Sequence, residues 1–220
     1  MSHSTAASLN PGRIVILNGA PRSGKSSIAA AIQETFEGPW MNLGVDVYAN
    51  AITPPRYRPS IGLRPGGERP DLEPLVVRFY AALYESVAAH SRLGLNVVTD
   101  VGHHDAFSAP RGLLADGARR LAGLPVLFVG VHCPIDEILR RRSSPEPGRE
   151  GRYLTAPPGQ PAPAPVALWQ SEVHRPGLYD LEIDTSRLTP AQCAERIAMR
   201  LGDRHAGPTA FERLAGRIPE

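Results

Sequence analysis

The chain has 220 residues, enough to bury a core and in the range of one domain, and its net charge of +2 offers no electrostatic footprint for nucleic acid. No apolar run approaches the length of a membrane span, so no membrane partner is expected. Cys133 and Cys193 stand far apart with no C-x-x-C spacing, which argues against a disulfide framework or a zinc site and fits small buried residues in a reducing cytoplasm.

Residues 1–12 are expected as a frayed start: the first ten are small and polar, without the basic and apolar regions of a secretory signal. The run Arg13-Ile14-Val15-Ile16-Leu17-Asn18 then predicts a strand buried on both faces. It leads into Gly19-Ala20-Pro21-Arg22-Ser23-Gly24-Lys25-Ser26, a complete G-x-x-x-x-G-K-[ST] phosphate-binding loop. Residues 26–36 follow as a helix with Ile28, Ile32 and Phe36 on one face. Lys25 is the only lysine, against 23 arginines. A phosphate cradle wants a compact ammonium acting as a point charge, which a planar guanidinium does not replace. Backbone N–H groups from Gly19 to Ser27 and the helix N-terminus would hold the phosphates of ATP, and the Ser26 hydroxyl would ligate Mg²⁺.

Residues 40–46 read as a second short strand ending in an acid, Asp46. Residues 52–74 hold six prolines, too many for a tight connector; they are either a tolerated surface insertion or the wall of a substrate pocket. A helix is predicted over 75–92 with Phe79, Leu83 and Val87 on one face, ended by Gly94, and a strand over 96–101 carrying Asp100. His103 and His104 come next. Adjacent histidines point apart, so the pair reads as pocket lining, with one ring on the substrate, ahead of a metal site.

A helix is expected over 110–121, a strongly apolar strand over 125–131, and a helix opened by Pro134 and running through Arg142. The run Arg140-Arg141-Arg142 suits a solvated helix end, whereas Arg149 and Arg152, beyond it among glycines, are placed to close as a lid over triphosphate. Residues from about 140 to 168, with the proline-dense stretch 155–165, are expected as a mobile lid and loop. Trp169, His174 and Tyr179 read as packing residues. A last strand over 181–185, a helix capped by Thr189 and a tail over 203–220 complete one domain of 1–220.

Strands alternating with helices imply an α/β fold, a parallel sheet covered on both faces whose ligands bind beyond the carboxyl ends of its strands. The loop, Asp46 and Asp100 all fall there. Asp46 would accept the proton of an acceptor hydroxyl, with a helix cap as its alternative reading, and Asp100 would hold Mg²⁺ with Ser26.

With Leu43-Gly44-Val45-Asp46, Val97-Val98-Thr99-Asp100-Val101, Leu127 to Cys133, the Arg149 and Arg152 pair, Val173-His174, Tyr179-Asp180 and Asp184-Thr185, the chain resembles the chloramphenicol phosphotransferase family of P-loop kinases over most of 13–201. The resemblance implies a three-layer P-loop kinase fold with a five-stranded parallel core and ATP-dependent phosphorylation of a hydroxyl on a small molecule such as chloramphenicol. Asp46 matches the family's base, Lys25 and Ser26 its phosphate and magnesium residues, and the arginine pair its lid. Thr99 stands where the family has a second acid, and 52–74 shows little likeness. Another acceptor, such as a nucleotide-sugar, and a non-catalytic nucleotide-binding regulatory module are the alternatives; self-association is left open.

Overall fold

The computed structural model describes residues 10–144, 153–157, 159–203 and 207–216. Five strands, β1 (Ile14–Asn18), β2 (Trp40–Asn42), β3 (Asn96–Val101), β4 (Val126–His132) and β5 (Leu181–Asp184), form one sheet of order β2-β3-β1-β4-β5. Every pairing is parallel, so each connection crosses over the sheet, and β1 lies between β3 and β4. Successive side chains of β1 serve opposite faces. Ile14 and Ile16 join a core with α3 (Glu73–Arg92), α4 (Leu113–Arg120) and α8 (Ala210–Ala215). Val15 and Leu17 join another with α1 (Lys25–Thr35) and α7 (Pro190–Gly202). A strand buried on both sides has no use for polar alternation, which is why β1 reads as a continuous apolar run. This is the expected three-layer α/β architecture.

Several expectations need correction or a choice between readings. The second strand stops at Asn42: its side-chain oxygen accepts the Gly44 N–H at 3.2 Å, and the chain turns into α2 (Val45–Val47) and then a π-helical turn, Tyr48–Ile52. Asp46 therefore sits in the first turn of a helix, not on a strand end. Of the two readings of the proline-rich excursion, the plain surface insertion falls away, for Ile61, Leu63 and Leu72 are buried against α3. Within the stretch expected as a mobile loop, α6 (Ala164–Glu172) follows α5 (Ile135–Ser143); Pro163 and Pro165 sit at its N-terminal end, where a missing N–H is harmless, and Val166 is buried. Gly12, expected as frayed, is held to the end of α3: its N–H donates to the Ser91 carbonyl at 2.8 Å and its carbonyl accepts from the Ser91 hydroxyl at 2.6 Å.

The expected tail also contains a docked element. Thr209 and Glu212 form a reciprocal capping box at the start of α8, and Ala210, Phe211 and Leu214 are buried. The Phe211 ring meets Phe128 edge-on at 4.9 Å between centroids and lies 6.4 Å from Tyr84. Among the described residues no helix is long and apolar enough to cross a membrane.

Replacing Phe211 with Ala should lower the unfolding free energy by about 3 kcal/mol in urea denaturation, the usual cost of emptying a buried aromatic site. A loss within about 0.5 kcal/mol, as for an exposed tail residue, would contradict the docking of α8.

Candidate functional site

The loop between β1 and α1 lies at the carboxyl edge of the sheet. Gly24 has φ 98°, a left-handed conformation that a side chain resists, and this turn places Lys25 and Ser26 at the start of α1. Arg22, at φ 74°, shares the left-handed region. Its Nε donates to the Arg141 carbonyl at 3.1 Å. Lys25 is buried, and its Nζ donates to the carbonyls of Gly19 at 2.8 Å and Ala20 at 3.0 Å. Burial lowers the pKa of the ammonium, and the charges of Asp100 and Asp46 oppose that shift. Both carboxylates thus act on the same cation.

The Ser26 hydroxyl donates to Asp100 Oδ2 at 3.0 Å. Asp100, near the end of β3, is itself buried, and the chain of the G-V-D segment passes directly over it. A Cβ on Gly44 would lie 1.7 Å from Asp100 Oδ1, so only glycine lets α2 come this close. Asp46 enters the cleft from that same segment.

A cleft of about 1250 Å³ runs over these groups. Of the nine residues expected to hold the nucleotide, Gly19, Pro21, Arg22, Gly24, Lys25, Ser26 and Ser27 line it, whereas Ala20 and Ser23 are buried beneath. On the side of β5, Thr185 Oγ1 donates to the Ser23 carbonyl at 2.7 Å. Arg141 Nη2 donates to the Thr185 carbonyl at 2.7 Å, and its Nε to Glu137 at 2.7 Å. On the side of α2 the wall is made by Ala49, Ile61, Leu63, Tyr80 and Trp169. Burial raises the pKa of the Tyr80 phenol and the nearby Asp100 charge raises it further, so it remains a hydrogen-bonding O–H.

Arg149 and Arg152, expected as a lid, lie outside the described residues. Arg141 takes a place beside the loop that the sequence did not assign to it; the three-arginine run was visible, but not which residue turns inward. His103 and His104 are corrected. Both are buried and neither lines the cleft. His103 meets the Tyr84 hydroxyl through Nε2, and His104 Nε2 donates to the Leu63 carbonyl at 2.9 Å, tying the proline-rich excursion to the segment after β3. Trp169, expected only to pack, both packs and lines the cleft; its ring lies 5.7 Å from that of His104.

Beneath the loop, Asn18 is fully buried and bonded in three directions: Nδ2 to the Val173 carbonyl at 2.7 Å and to the Tyr179 hydroxyl at 2.9 Å, and Oδ1 from the His103 N–H at 2.8 Å. His174 Nδ1 meets the same Tyr179 hydroxyl at 2.8 Å. Burial pushes the pKa of His103 down to about 3 and that of His174 down to about 4. Both are neutral in the folded protein and bind a proton in the unfolded chain below the ordinary value of 6.5. Unfolding therefore takes up protons, and stability should fall as pH drops from 6.5 toward 4, the folded value of His174. Urea denaturation between pH 7 and about 4.5 should show this decline, and it should be shallower in His174→Gln; an unchanged slope in that variant would remove His174 from the account.

The model of the family described as "Chloramphenicol phosphotransferase-like protein" matches residues 12–202. A Mycobacterium tuberculosis chain bearing the provisional name O-phosphotransferase is 29% identical, over 96% of this chain and 92% of its own length. A sugar kinase from Janibacter has the same fold, with a TM-score of 0.57 and 21% identity over 87% of this chain and 95% of its own. So does the Mycobacterium tuberculosis APS kinase in complex with AMPPNP and APS, with a TM-score of 0.56 and 19% identity over 88% of this chain and 99% of its own. The strand order, the phosphate loop and a family match spanning most of the chain agree: it belongs to the chloramphenicol phosphotransferase-like family of P-loop small-molecule kinases.

Proposed function

We propose that this chain is a cytoplasmic enzyme that uses ATP and Mg²⁺ to phosphorylate a hydroxyl of a small molecule, chloramphenicol or a comparable hydroxylated metabolite. The observation that carries the reading is the convergence of Lys25, the Ser26–Asp100 pair and Asp46 on one cleft. The oxygens of Ser26 and Asp100, 3.0 Å apart, are hard donors that fit Mg²⁺, which takes its remaining ligands from phosphate and water. When bound, the metal would neutralise charge on the bridging and terminal phosphate oxygens.

The other roles belong to the chain itself. Backbone N–H groups of the loop seat the phosphates, and Lys25 turns from its two carbonyl partners to the donor. Arg141, fixed by Glu137 and Thr185, keeps a guanidinium beside the loop. Asp46 orients the acceptor and takes the hydroxyl proton as the new oxygen–phosphorus bond forms. The bond from the γ-phosphorus to its bridging oxygen breaks, and ADP leaves with that oxygen. Walls from the excursion and Trp169 flank the place of the acceptor, and a bound acceptor filling the space between them would displace water and favour transfer over hydrolysis.

Mass spectrometry of a library of small alcohols incubated with ATP and Mg²⁺, chloramphenicol included, should show one acceptor gaining a phosphoryl group. Asp46→Asn should cut that product by about 10²-fold or more while ATP affinity stays within about twofold. No phosphorylated acceptor together with ATP turnover at background would sink the reading. Gly44→Ala provides a separate check on Asp100. The added methyl must displace the carboxylate, so the Mg²⁺ concentration for half-maximal turnover should rise about tenfold; an unmoved value would take Asp100 off the metal.

A further inference from the structure

Consecutive arginines at the end of α5 face different parts of the cleft. Arg141 is turned to the phosphate loop, where its Nη1 comes 3.4 Å from the position a Cβ on Gly24 would take. Arg142, about 100° further round the helix, reaches the Tyr153 ring, which Arg22 of that loop also approaches, 5.2 Å from the centroid. Its side chain is only 9% exposed, yet it lines the cleft. Nη1 donates to the Leu154 carbonyl at 3.3 Å, the Tyr153 ring lies 5.5 Å from its Cζ, and Nε is buried without any partner.

No carboxylate pairs with Arg142 among the described residues. Burial lowers its pKa most, and although Tyr153 opposes the shift, the guanidiniums of Arg22 and Arg64, its cationic neighbours among the described residues, add to it. A buried cation beside two like charges is destabilising unless an anion completes the arrangement. Among the described residues Arg64 has one ion pair, a half-exposed one with Glu68 at 3.5 Å, too weak to occupy it. It belongs to the proline-rich excursion, which packs on α2, the helix that carries Asp46. Arg64 thus belongs to the side of the cleft that carries Asp46, and Arg142 lies within electrostatic reach of it.

We propose that Arg142 and Arg64 form a seat for an oxyanion carried by the acceptor, so that the molecule phosphorylated here is an anionic alcohol: a hydroxyl compound bearing a carboxylate, phosphate or sulfate. This rests on the kinase reading for its acceptor and names the class. The guanidinium of Arg142 lies over the Tyr153 ring and donates to the Leu154 carbonyl with Nε still unused, and Arg64 lines the same cleft. The oxyanion would fix one end of the acceptor and leave its hydroxyl to Asp46.

Inorganic sulfate titrated calorimetrically into protein saturated with Mg²⁺ and AMPPNP probes the seat while the phosphate loop is filled. Sulfate should bind the loaded protein, and Arg142→Gln and Arg64→Gln should each weaken that binding about tenfold, with AMPPNP affinity within about twofold of wild type. Melting temperature should hold or rise in Arg142→Gln, since the change removes an uncompensated buried charge; a purely structural arginine would lower it. Sulfate that fails to bind the loaded protein, or variants that lose AMPPNP affinity instead, would assign these arginines to the donor and overturn the seat. Turnover of matched alcohols with and without an oxyanion gives a second arm. Equal kcat/KM for the neutral member would also overturn the seat while leaving the kinase standing, and the sulfate titration decides the matter even if no alcohol is phosphorylated.

Discussion

A single buried ammonium sets the conditions for everything around it. Lys25 lies where an unpaired charge would cost several kcal/mol, and among the described residues no carboxylate forms a direct ion pair with it. Two loop carbonyls hold it, while Asp100 and Asp46 act on it from further away. Such a cation is compensated enough to exist and too little to be satisfied. The loop must therefore be stiff, or the lysine would draw it into some closer arrangement. The stiffening comes from outside the loop: Thr185 bonds the Ser23 carbonyl, and Arg141 bridges Thr185, Glu137 and Arg22. Glu137, held down to about 2 by Arg140 and Arg141, stays ionised at any ordinary pH and keeps that bridge in place.

The second constraint is the proximity of two backbones. Gly44 passes so near Asp100 that α2 and β3 behave as one surface, and the acid expected on a strand end is delivered from a helical turn instead. The π-helical turn that follows widens the coil just where the cleft begins, and Tyr48 anchors it by donating to the Ala82 carbonyl at 3.0 Å. Two carboxylates in different surroundings are kept apart by this geometry. One is buried and bonded to Ser26; the other opens on the wall where an acceptor would lie.

The parallel core was legible because β1, β3 and β4 each hold a run of consecutive apolar residues and the glycine-rich loop follows β1 directly. The edges were less so. β2 pairs on one side only, and nothing in Leu43-Gly44-Val45-Asp46 distinguishes a continuing strand from the helical turn that the Asn42 side chain initiates. The helix α6 was hidden by prolines that read as loop, although at a first turn they are compatible with helix. α8 carried a readable signal in Thr209-Ala210-Phe211-Glu212, a capping box ahead of apolar residues, masked by its distance from any other pattern. Which of Arg140, Arg141 and Arg142 faces the cleft depends on the phase of α5 against the loop, a tertiary fact that spacing alone does not contain. The histidines failed for the opposite reason: a conspicuous pair of polar residues after a strand turned out to serve the packing of two loops.

The position of β1 in the middle of the sheet has a consequence for how the chain acquires its shape. It is the first strand in sequence, yet its two neighbours are paired through Ile14 with Val97 and with Val126, contacts that close loops of roughly 80 and 110 residues. No local hairpin can serve as a starting point in an all-parallel sheet. Ile14 to Leu17 are thus committed early to a place that cannot be filled until β3 and β4 exist, and the aromatic face of Phe128 and Tyr84 is covered only when α8 arrives. Folding of this kind is slow and keeps sticky surface in solvent while it proceeds. The central seat of the phosphate loop's strand, which makes the site rigid once formed, is the same feature that makes the molecule late to form it.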